Sequence, residues 1–177
     1  MNKRLLGMTA AILIGIAWSG AGAEIVLRDD FSTNAPGNDV PAGWRLYRHG
    51  PTLGGISVEP SGNAMRLHLK DVCDKSEIGI TRILPAVRGK YYRLTATAVP
   101  AAGTTRNSSK SSVALQLRFL SNPPLIKQVW MADNREAVAA AQANADRLQI
   151  YIYTMKPGLP DVFIPEVRLE VSDTPFK

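Results

Sequence analysis

Residues 146–171 read DRLQIYIYTMKPGLPDVFIPEVRLEV, and residues 76–100 read SEIGITRILPAVRGKYYRLTATAVP. In the first stretch Leu148, Ile150 and Ile152 alternate with Gln149, Tyr151 and Tyr153. The run Pro157-Gly158-Leu159-Pro160 breaks the alternation, and Val167, Leu169 and Val171 resume it. A period of two puts successive side chains on opposite faces, so each run is a strand with one face in a core. Pro165 cannot donate to a strand ladder, which predicts a bulge or an edge at Pro165-Glu166.

The same period recurs outward from these runs. Over 63–70, Met65, Leu67 and Leu69 share one face and Arg66, His68 and Lys70 the other. Over 113–120, Val113, Leu115, Leu117 and Phe119 point one way and Gln116 and Arg118 the other. Further strands are expected at 24–31, 44–49, 56–59, 77–84 and 91–99, with a short one at 127–131. Loops rich in Asn, Pro, Gly, Ser and Thr fall at 33–43 and 101–112. One stretch departs from the period. Asp133 with Glu136 three residues on forms a capping-box arrangement, and 137–143 is rich in alanine, so one short exposed helix is expected there. The expected fold class is all-β, an antiparallel two-sheet jelly-roll β-sandwich with that helix added. Its core should hold Met65, Leu67, Leu69, Leu94, Leu115, Leu117, Phe119, Leu148, Ile150, Ile152 and Val167.

The start of the chain reads as an export signal. Lys3 and Arg4 precede an apolar stretch over 5–18, and Ala21-Gly22-Ala23 is a small-residue cleavage site. A signal peptide 1–23 is expected, with one domain over 24–177 and a secreted or periplasmic location. The apolar stretch is short for a transmembrane helix, so no membrane anchor is expected. Losing Lys3 and Arg4 lowers the net charge from +6 to +4. The remaining Lys and Arg are spread along the strands without a dense basic run, which argues against a nucleic-acid partner. Cys73 is the only cysteine, so no internal disulfide can form and the core must carry the stability.

The chain holds no G-x-S-x-G, H-E-x-x-H or phosphate-loop motif, and His49 and His68 lie in no nucleophile motif. No enzymatic activity is expected.

Three stretches carry a resemblance. Residues 81–94 run through a strand, a Gly turn and a Tyr-bearing strand. Residues 113–119 end in an aromatic before a loop, and 147–154 and 162–170 flank a Pro-Gly turn. Together they resemble the jelly-roll carbohydrate-binding modules, galactose-binding-like β-sandwiches, appended to bacterial xylanases and cellulases. The resemblance implies an exported, non-catalytic domain whose partner is a polysaccharide or other glycan, held on the concave sheet face. The outward parity of two strands, with a nearby tryptophan, then makes Glu77, Gln116, Arg118 and Trp130 the ligand-binding candidates. A ring to stack on, an amide, a guanidinium and a carboxylate match the chemistry of a sugar. Arg118 and the basic surplus favour an anionic glycan. Such modules also carry structural calcium, for which Asp29, Asp30 and Asp161 are the weak candidates; no other cofactor is implied. Tyr151 and Tyr153 are expected to pack across strands and Trp44 to anchor the core. The alternatives are a structural or adhesive surface domain that binds protein, and a small polysaccharide-active enzyme.

Overall fold

The computed structural model describes residues 22–37, 40–51, 54–71, 76–102, 113–154 and 161–177. Cys73, the turn expected at Pro157–Pro160 and the export signal expected up to residue 21 lie outside them.

Thirteen strands are described: β1 (Glu24–Asp29), β2 (Arg45–His49), β3 (Gly54–Ser61), β4 (Ala64–Asp71), β5 (Glu77–Pro85), β6 (Tyr91–Thr97), β7 (Val99–Pro100), β8 (Val113–Phe119), β9 (Leu125–Trp130), β10 (Glu136–Gln142), β11 (Arg147–Thr154), β12 (Asp161–Ile164) and β13 (Val167–Ser172). They form three antiparallel sheets, ordered β2-β5-β11-β8-β9, β1-β13-β6-β10 and β3-β4-β12-β7. The two four-stranded sheets are halves of one layer. Strand β6 runs on into β7 past Ala98, and β12 runs on into β13 past Pro165-Glu166. The ladder breaks where proline was expected to break it. The five-stranded sheet packs against both halves: β4 lies over β5 and β11, and β6 and β10 lie over β8 and β9. The result is a β-sandwich, with one of its two layers split.

The alternating runs fill the core. Leu115, Leu117, Phe119, Leu148, Ile150 and Ile152 from one layer meet Leu67, Leu69, Leu94, Val167 and Leu169 from the other, all with no solvent exposure. Met65 packs against this core from its margin. Trp44 is buried, and its indole N–H donates to Asp29 (2.7 Å), so it anchors the loop before β2. Gly62 supplies the positive φ, 62°, that the two-residue loop between β3 and β4 requires.

The helix expected over 137–143 is not formed; that segment is strand β10. It pairs with β6 through seven residues in unbroken register, from Glu136↔Thr97 to Gln142↔Tyr91. Alternate alanines, Ala137 and Ala139, are buried towards β8 and β9. Pairing along a whole neighbouring strand overrides a helix preference worth a few tenths of a kcal/mol per residue. Asp133 does not cap a helix, and Asn134 takes a left-handed turn (φ 57°) whose N–H bonds to Ala98 O.

Candidate functional site

The outer face of the five-stranded sheet gathers side chains from five strands. Register fixes its rows. One row runs Tyr47, Gly79, Tyr153, Ala114, Trp130. The next runs Arg45, Thr81, Tyr151, Gln116, Gln128. A third runs Ile83, Gln149, Arg118, Ile126. Side chains of these rows share the face because they alternate with the buried Ile78, Ile80, Leu115, Leu117, Leu148, Ile150 and Ile152.

Tyr47, Tyr151 and Tyr153 form one edge-to-face cluster. Their centroids lie 5.5 Å (Tyr47–Tyr151), 5.0 Å (Tyr47–Tyr153) and 6.2 Å (Tyr151–Tyr153) apart. Tyr47 O–H donates to Glu77 (2.8 Å), and Tyr153 O–H donates to Gln128 Oε1 (3.1 Å). Burial, and then the hydrogen bond to Glu77, push the Tyr47 phenol far up; burial and the Glu77 charge raise Tyr153. Both stay neutral donors. The expectation that Tyr151 and Tyr153 pack across strands is what the rings do.

All four sequence candidates lie on this sheet, in unequal roles. Trp130, on edge strand β9, is 53% exposed, so it stands on the face rather than in the core. Ala114 lies between it and Tyr153 and leaves a gap of about 10 Å, two strand spacings. Arg118 is half-buried, and its Nε is buried without a hydrogen-bond partner. Gln116 is 9% exposed, between Tyr151 and Gln128, and contributes little accessible surface. Glu77 sits at the far end and is committed to Tyr47. Gln128, Ile83, Ile126, Arg45 and Arg147 complete the accessible set and were not singled out from sequence. Strand parity marks each as outward-facing once the register is known.

The calcium candidates do not converge. Asp29 accepts from Phe31 N (2.9 Å) and the Trp44 indole and lies 3.9 Å from Arg82. Asp30 is taken by Ser32, and Asp161 by His68 and Lys70. No group of three His, Cys, Asp or Glu among the described residues is arranged to hold a metal ion.

A second polar cluster lies on the opposite layer. His68 of β4 binds Glu59 of β3 through Nδ1 and Asp161 of β12 through Nε2, both at 2.6 Å. Phe163 stacks on the imidazole at 4.5 Å, and the Arg66 guanidinium lies 3.3 Å from the centre of the Phe163 ring.

The arrangement of strands has solved counterparts. The fold is that of carbohydrate-binding modules. BiXyn10A CBM1 in its apo form superposes with a TM-score of 0.56 at 13% identity, over 82% of this chain and 97% of that chain. A CBM4 module gives 0.55 at 13% identity, over 81% and 97%. The enzymatically active domain of bacteriophage CBA120 tailspike protein 4 gives 0.53 at 12% identity; 73% of this chain is covered, but only 19% of the tailspike chain. Identities this low establish the fold and nothing finer. No protein-family model matches the chain, and no curated protein does. No helix among the described residues is long and apolar enough to cross a membrane.

Proposed function

We propose that this protein is an exported, non-catalytic domain that holds a polysaccharide on the outer face of its five-stranded sheet. The observation that carries the reading is Trp130, a large indole left 53% exposed on a face that also presents amides, tyrosines, arginines and two isoleucines. An indole offers a sugar ring its apolar face, and Gln128, two residues back on the same face of β9, offers an amide to hydroxyls. Module-fold neighbours support a polysaccharide as the partner class.

Trp130→Ala tests the site. Screening the wild-type protein on a glycan array and titrating the best ligand should show binding that this variant loses. Its melting temperature should stay within about 2 °C of wild type, because an exposed side chain contributes little to the core. Unfolding of the variant, or a wild type that binds no glycan, refutes the assignment. The export part rests on Lys3, Arg4 and the Ala21–Ala23 site; mass spectrometry should find a mature species starting at Glu24.

One feature favours a protein-binding surface domain as the second reading. Edge strand β1 exposes Ile25 (51%) and Val26 (44%) beside Val87 (55%). Unpaired apolar edges recruit other chains.

A further inference from the structure

The two layers treat their arginines differently. On the outer face of β1-β13-β6-β10 every arginine has a carboxylate: Arg28 pairs with Glu166 (2.8 Å), Arg93 with Glu170 (2.8 Å) and Arg168 with Glu136 (3.4 Å). On the outer face of the five-stranded sheet, Arg45, Arg118 and Arg147 share outward parity, and none has an ion pair or side-chain hydrogen bond among the described residues. Among the described residues of these strands the one carboxylate on that face is Glu77, which is two rows from Arg45 and is engaged by Tyr47.

Arg118 and Arg147 make the point sharpest. Gln149 stands directly opposite Arg118, and Arg147 is two residues back on the same strand as Gln149, so the two arginines are diagonal neighbours with backbones about 7–8 Å apart. Like charges at that spacing repel, and the buried Nε of Arg118 lacks a partner that such groups almost always have. A planar guanidinium fork fits carboxylate and sulfate oxygens two at a time. Exposed Ile126 stands directly opposite Arg118, and exposed Trp130 lies two rows further along the same face of β9, so a chain of several sugar units could reach the cations and the indole together.

We infer that the ligand of this face is an acidic polysaccharide, whose carboxylate or sulfate groups pair with Arg118 and Arg147. The inference deepens the proposed glycan reading and rests on it. Its test is calorimetric titration of the full chain with polygalacturonate, dextran sulfate and neutral xylan at low and high salt. Wild type should bind an acidic polymer at least about tenfold more tightly than xylan, with affinity falling as salt rises. R118Q/R147Q should bring the acidic polymer to the level of xylan while the melting temperature holds. R88Q/R135Q, which removes two exposed cations from loops outside the sheet strands, should change affinity by less than about twofold. Preference for dextran sulfate over polygalacturonate, with the same arginine dependence, identifies the anion as sulfate; the reverse identifies carboxylate. Equal affinity for xylan and acidic polymers, unchanged in R118Q/R147Q, overturns the anionic inference and leaves the glycan reading standing. A comparable loss in R88Q/R135Q overturns it in favour of diffuse charge. No binding to any of the three polymers, nor to any glycan of the array, removes both.

Discussion

The rings of Tyr47 and Tyr153 meet at 5.0 Å although their strands are not neighbours; β5 lies between them, and the residue it places there is Gly79. The missing side chain lets two aromatic residues from alternate strands close over the sheet. A Cβ at this position would overlap Ile152 O and lie 2.5 Å from Tyr153 Cα. These are backbone atoms, which cannot swing aside. Gly79→Ala should therefore cost roughly 1–3 kcal/mol, the usual penalty of overpacking. Urea denaturation reads it directly, and a variant as stable as wild type would show that β5 and β11 have slack the geometry denies.

Leu117 sits on central strand β8 with no solvent exposure, opposite Ile150. Leu117→Ala should cost about 2–5 kcal/mol through lost burial and a cavity that the sheets cannot fully close. A loss well under about 1 kcal/mol in chemical denaturation would put the core on the other face.

Glu170 links the arginines of the split layer. Its hydrogen bond from Arg93, outweighing burial and aided by the charges of Arg93 and Arg168, holds its carboxyl below the ordinary carboxylate range. The folded protein therefore binds this proton less readily than the unfolded chain. The stabilisation is fully present above the unfolded value of about 4.3 and is lost as pH falls through the lower folded value. Glu170→Gln should be less stable than wild type at neutral pH, and the gap should narrow steadily in acid. A gap independent of pH would mean the loss is one of packing.

Period-two parity made the sandwich legible. It placed Leu115, Leu117, Leu148 and Ile150 in the core and Gln116 and Arg118 outside, because alternating apolar and polar residues reveal which face is buried. Strand β10 escaped the same rule: alanines on both of its faces erase the contrast, and the β6 partner that makes it a strand is some 40 residues away. The site was visible only as fragments. Parity shows that Arg118 and Arg147 face outward, but whether a carboxylate stands beside them depends on registers between distant strands. The same distance hides Tyr47 from Tyr153, and His68 from Asp161, which are 93 positions apart.

That last pair makes a clamp. Both imidazole nitrogens of His68 face carboxylate oxygens at 2.6 Å, so the ring ties β3 to β12 through β4, next to where the layer splits. Burial pushes the Glu59 carboxyl up, but the hydrogen bonds from His68 and Ser57 outweigh it and leave it lowered, as expected of an acceptor held by donors. His68→Ala removes both bonds and the ring beneath Phe163, and leaves Glu59 and Asp161 without the donor between them. It should cost about 1–3 kcal/mol, with an unchanged slope against denaturant because the unfolded chain exposes the same surface. Glycan binding at Trp130 should survive, since the clamp lies on the opposite layer. A denaturation midpoint equal to that of wild type would show that the clamp is ornamental, and lost binding with retained stability would place the ligand on the wrong layer.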